Sequence, residues 1–166
     1  MIVLVTGGRD YTGQSRLWAA LDMLRREVPE GMALCVVEGG ANGADRLARR
    51  WFEDRRDTLG PKLYWKAFPA DWVKVHYCRD HTHGKKGAGP CRNARMVEWV
   101  AAQVAADKRV LACPGGIGTA DCVEKARNAG LFVQTLDDAL EYGRSHKCSW
   151  CGHEHPGGPE RCEDGL

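Results

Sequence analysis

Three times in this chain a short apolar run ends in a glycine turn and passes directly into a helical pattern. Ile2–Thr6 runs into Gly7-Gly8-Arg9-Asp10, Ala33–Glu38 into Gly39-Gly40-Ala41-Asn42-Gly43, and Arg109–Cys113 into Pro114-Gly115-Gly116-Ile117-Gly118-Thr119. Strand–helix alternation of this kind gives parallel strands, because each helix carries the chain back to the edge where the previous strand began. Right-handed crossovers then place every strand C-terminus on one edge. The glycine turns gather there, and open α/β sheets bind their ligands at that edge.

The remaining pattern agrees. Helical spacing predicts Ser15–Val28, with Leu17, Leu21 and Leu24 inward and Ser15 as a candidate cap. It also predicts Ala44–Arg56 with Leu47, Trp51 and Phe52 on one face, and Pro90–Ala106 with Met96, Val97, Val100 and Val104 inward. Thr119–Ala129 and Leu136–Tyr142 complete the helices, and Lys62–Ala67 and Leu131–Thr135 add two strands. The expected fold is α/β: a Rossmann-like, doubly wound parallel sheet of about five or more strands over residues 1–143. A small zinc-binding tail, 144–166, follows.

Composition narrows the function. With 43% apolar and 28% charged residues in 166, the chain can build one ordinary core. A net charge of +2 supplies no basic field for nucleic acid. Sixteen arginines against eight lysines fit bidentate anion recognition, and equally a base-composition bias. Met1–Gly8 has no basic leader and reaches glycine after five apolar residues, so it reads as a buried strand rather than a signal peptide. No stretch is long enough to span a bilayer. The expectation is a cytoplasmic protein with no membrane partner.

The strongest chemical signal is Pro114, Gly115, Gly116, Gly118 and Thr119. Glycines let amide N–H groups converge on an anion, and the following helix adds its positive end. Thr119 can donate its hydroxyl or cap the helix. In Glu38, Gly39, Gly40, Ala41, Gly43 and Asp45, the glycines permit close approach. Asp45 either complements the helix dipole or bonds a ribose or base, and Glu38 has the same options. Gly7, Gly8, Arg9, Asp10 and Tyr11 form the third element. Arg9 at a strand end is placed to meet phosphate as a planar fork, and Tyr11 either stacks on a base or covers the sheet edge. Neither GxGxxG nor GxxxxGK[ST] is present. Arg92 and Asn93 read as opening the long helix. Arginine there opposes the dipole unless an anion sits nearby, which makes Arg92 a ligand candidate.

At these residues the chain resembles the SLOG superfamily, and within it the YspA-like, YpsA-related branch. The resemblance runs through VTGGRDY (5–11), VEGGANGADRLARRWF (37–52), AFPADW (67–72), GPCRNARMVEW (89–99) and LACPGGIGTADCVEKARNA (111–129). It implies a Rossmann-like fold and a nucleotide or nucleotide-derived ligand in the groove that these loops line. Similar families include LONELY GUY phosphoribohydrolases, DprA single-strand DNA loaders, molybdenum-cofactor carriers and sensor domains that bind ADP-ribose-type signals. The phosphoribohydrolase pattern is PGGxGTxxE. Here Pro114–Thr119 match it, and Cys122 holds the glutamate's place, with Asp121 and Glu124 beside it. Arg92-Asn93 is similar to a pair in the DprA branch. Such proteins commonly dimerise, so a homo-oligomer is expected. The Met96–Val104 stretch serves either a dimer interface or the core.

Eight cysteines divide into two groups. Five are scattered through the first 125 residues, with Cys35 and Cys113 in apolar runs. Cys148, Cys151 and Cys162 gather at the end with His153 and His155. CxxC followed by glycine lets two thiolates share one metal, and a closed zinc site needs four ligands. Three cysteines and one of the two histidines supply them, and the metal would provide the folding energy of so small a tail. His76, Cys78, His81 and His83 form a looser group that reads as exposed loop histidines, with a second metal site as the alternative.

The favoured function is a sensor or sequestering protein that binds an ADP-ribose-type, cyclic or mononucleotide ligand. The first alternative is a hydrolase of nucleotide N-glycosidic or phosphoester bonds, using Glu38, Asp45, Asp121 or Glu124. The second is a DprA-like single-strand nucleic-acid binder, which low net charge disfavours.

Overall fold

In a computed structural model, residues 1–58, 60–73, 76–77, 82–83 and 87–145 are described. The order is β1 (Ile2–Thr6), α1 (Gln14–Arg26), β2 (Ala33–Glu38), α2 (Ala44–Arg55), β3 (Lys62–Ala67), β4 (His76–Tyr77), β5 (Thr82–His83), α3 (Ala88–Ala102), β6 (Lys108–Ala112), α4 (Ile117–Asn128), β7 (Phe132–Thr135) and α5 (Leu136–Ser145). Five strands form one parallel sheet in the order β3-β2-β1-β6-β7. The chain winds outward from β1 through β2 to β3, then crosses back to β6. The reversal leaves a crevice beyond the end of β1, the topological switch point of such sheets.

Alternation along β1 divides the core. Val3 and Val5 face Leu17, Leu21, Trp51 and Leu136, drawn from α1, α2 and α5. Ile2 and Leu4 face Met96, Val97, Val100, Cys122 and Ala126, drawn from α3 and α4. All five residues of β1 are buried, as a strand covered on both faces requires. A fully buried Leu or Val contributes roughly 1.5–3 kcal/mol, so these two clusters hold the loops of the edge in place.

Several boundaries differ from the sequence reading. The Ser15 cap is not made: α1 starts at Gln14, its cap residue is Gly13, and no side chain bonds there. Helix α3 begins at Ala88 and ends at Ala102. Val104 therefore lies beyond it and is fully exposed, because the chain turns out at Gln103, whose backbone is extended. Met96, Val97 and Val100 are used in the core against the sheet, which accounts for their apolar character without a second copy. Helix α5 continues three residues past Tyr142.

The short β4–β5 pair sets His76 opposite His83. Cys78 and His81 lie outside the described residues, as do Cys148, Cys151, His153, His155 and Cys162 of the expected zinc tail. No helix among the described residues is long and apolar enough to cross a membrane.

Candidate ligand cleft at the sheet edge

The three glycine turns do meet. A cleft of about 300 Å³ opens at the switch point, lined by Gly7, Gly8, Arg9 and Asp10 after β1, Ala41 and Asp45 around the start of α2, and Gly116, Gly118 and Thr119 at the start of α4. Arg92, Asn93 and Met96 of α3 complete its wall, with Thr6, Gly89 and Pro90. Gly43 lets the β1 and β2 turns touch. Its φ is +70°, and a Cβ there would collide with the carbonyl oxygen of Gly8 and lie 2.7 Å from the carbonyl carbon of Arg9.

The loop after β2 consumes its own donors. The Gly39 and Ala41 amides donate to Asp45 Oδ2 at 3.2 and 3.1 Å, and the Gly40 amide donates to Glu38. Both acids are buried, at 5% and 2% exposure. Burial pushes the Glu38 carboxyl up to about 7, with Asp45 adding to the rise and the Gly40 amide opposing it. Burial also raises Asp45, against its two amides and Arg92. Asp45 stands in the first turn of α2, where its charge complements the helix dipole, and its carboxylate also reaches back across the loop that precedes the helix.

Arg92 and Asn93 do not open α3; they are its fifth and sixth residues. The dipole argument for Arg92 therefore fails, and its place in the cleft has another cause. Arg92 donates through Nη1 to the Gly39 carbonyl and through Nε to Asn93 Oδ1 at 2.9 Å, and Nη1 stands 3.6 Å from Asp45. Asn93 passes the connection on, donating through Nδ2 to the Gly118 carbonyl at 3.1 Å and Asp121 at 2.8 Å. This buried chain ties the β2 turn to the first turn of α4.

The loop after β6 is built differently. Helix α4 begins at Ile117 with Gly116 as its cap residue. Thr119 is therefore inside the first turn and does not cap it. The amides of Gly115, Gly116, Ile117 and Gly118 have no acceptor among the described residues, and all four residues are exposed. A Cβ at Gly116 or Gly118 would meet nothing within 4 Å. Internal packing does not require glycine at either position.

Arg9 has no ion pair among the described residues and rests on the Trp72 ring, 5.1 Å from its centroid. Tyr11 turns away, donating to the Gly13 carbonyl at 3.1 Å and packing on the α1–α2 core. Glu38, Gly43, Pro114 and Gly115 support the cleft without lining it; Pro114, for example, accepts from the Gly8 amide at 2.9 Å. Gly39 and Gly40 border a second cleft instead, with Asn42, Pro69, Ala70 and Trp72. These last four were not singled out as site residues in the sequence. The signal was there, since AFPADW is one of the segments that carry the family likeness.

Cys122 is fully buried against the sheet, and burial raises its thiol to about 11. It has no nucleophilic thiolate at neutral pH. Asp121 pairs with Lys125, and Glu124 is exposed on the far side of α4. Among the described residues, Asp10 and Asp45 are the carboxylates that border the first cleft.

A five-stranded parallel sheet with its cleft at the switch point defines a Rossmann-like α/β protein. The family model of the YspA, cpYpsA-related SLOG family matches residues 1–74. The Gene 61 protein of Mycobacterium phage D29 is 39% identical over 142 residues, covering 82% of this chain and 96% of the phage protein. The chain belongs to the YspA, cpYpsA-related SLOG family. That membership points to a nucleotide-related ligand in general.

Proposed function

We propose that the switch-point cleft binds the phosphate of an ADP-ribose-type, cyclic or mononucleotide ligand, as a sensor or sequestering protein would. The observation that carries this reading is the row of unpartnered amides at the N-terminus of α4, where Gly116 and Gly118 line the cleft. Arg9 supplies a cation that forms no ion pair among the described residues, and the open space at Gly116 and Gly118 lets an anion reach the backbone. Binding is favoured over hydrolysis because Asp45 is committed to two amides and Arg92, and the phosphoribohydrolase glutamate is replaced by Cys122.

Calorimetry with AMP, ADP-ribose and cyclic AMP tests this. Micromolar or tighter binding is expected for at least one of them, weakened about tenfold in Arg9→Ala, an exposed residue whose loss spares the core. Absence of heat with the whole panel overturns the reading. Chromatography of the same mixtures distinguishes retention from turnover. The zinc assignment to Cys148, Cys151, Cys162 and His153 or His155 is likewise a proposal, from spacing alone, and metal analysis of the purified chain tests it.

A further inference from the structure

A second cleft lies beside the first. Its volume is about 350 Å³, and it shares Arg9, Ala41 and Arg92 with its neighbour.

Its chemistry suits a flat aromatic group. Trp72 is 46% exposed and presents its ring at the rim. Gly40, at φ +70°, packs directly on Pro69, so floor and wall are in contact. Asn42 is exposed beside them and offers both a donor and an acceptor to a base edge. No carboxylate among the described residues lines this cleft.

From the wall residues that the two clefts share and the exposed indole at the second one, we infer that Trp72 is the stacking platform for the nucleobase of the ligand whose phosphate lies at the start of α4. The inference rests on the phosphate reading above. It also explains Arg9. A guanidinium is held only weakly on an exposed ring, and a base stacks on an aromatic side chain more strongly. The base therefore displaces Arg9 from the indole, and Arg9, bordering both clefts, turns to the phosphate.

The test compares AMP, GMP and ribose 5-phosphate by calorimetry on the intact chain and on Trp72→Ala and Trp72→Phe. AMP and GMP are expected to bind about tenfold more tightly than ribose 5-phosphate. In Trp72→Ala they fall to the ribose 5-phosphate level, while ribose 5-phosphate itself is unchanged; Trp72→Phe recovers part of the difference. Equal affinity of all three compounds for the unaltered chain overturns the base platform and leaves the phosphate site standing. An equal loss for all three in Trp72→Ala also overturns it, by making Trp72 a structural support. If none of the three binds, the phosphate reading and the platform fall together.

Discussion

The glycine loop after β2 satisfies its own amides, and the glycine loop after β6 does not. In the first, Asp45 and Glu38 accept from Gly39, Gly40 and Ala41, and Arg92 closes the carbonyl side at Gly39. Glycine at 43 is demanded by a positive φ and by the backbone of the β1 turn. In the second, four amides face solvent, and two glycines stand where a methyl group would touch nothing. The first loop is a built part of the scaffold. The second is left open by the scaffold, and an anion is what its exposed donors suit. Glycine richness therefore marks two different things in one cleft: a backbone that must pass another backbone, and a backbone that must remain reachable.

Breaking the closed loop should produce the largest effect. Asp45→Ala leaves the Gly39 and Ala41 amides without their acceptor and Arg92 without its buried counter-ion. Urea unfolding should show a loss of about 3–5 kcal/mol. A loss under about 1 kcal/mol would show that the loop is not held by Asp45, and the contrast with the β6 loop would disappear.

A smaller effect is expected from pH. Glu38 ionises ordinarily near 4.5 and in the folded chain near 7. Between those values the folded protein keeps a proton that the unfolded chain has lost. Stability therefore falls as pH rises through that window and is level above it. Between about pH 5 and about pH 8 the loss from Glu38 should be on the order of 1–3 kcal/mol. Glu38→Gln keeps an acceptor for the Gly40 amide and should flatten the slope, leaving the part due to Asp45. Identical slopes for the two proteins in urea titrations would remove Glu38 from the account.

The smallest change in stability carries the sharpest contrast. Gly118→Ala lies in the first turn of α4 with open space around it. Alanine there should raise stability by about 0.5–1 kcal/mol, as helix propensity dictates. The same methyl group should weaken AMP binding about tenfold, because it stands in the path to the amides. A more stable variant with undiminished affinity would place the anion elsewhere.

The strands and the meeting of the three turns were legible early, because a strand buried on both faces must be apolar throughout and a parallel sheet must put its C-termini together. Helix starts were less so. Ser15 is a good cap by type, and Gly13 holds the position instead. Ala88 and Gly89 join α3 ahead of Pro90, which moved Arg92 and Asn93 from the helix end to its second turn. Both line the cleft, and a place at the helix end is not the reason. Tyr11 and Trp72 were both aromatic residues near the edge, and spacing cannot say that one would fold onto the core and the other stay at the rim.

Apolar runs and glycine turns settled the sheet, its parallel sense and the edge where ligand chemistry gathers, because burial and chain reversal are local demands written in residue type. Which amides were left unpaired was decided only in the tertiary structure. A donor's state depends on whether an acceptor reaches it: Asp45 reaches back to the Gly39 and Ala41 amides only once α2 lies beside β2, and Arg92 closes the Gly39 carbonyl only once α3 packs there.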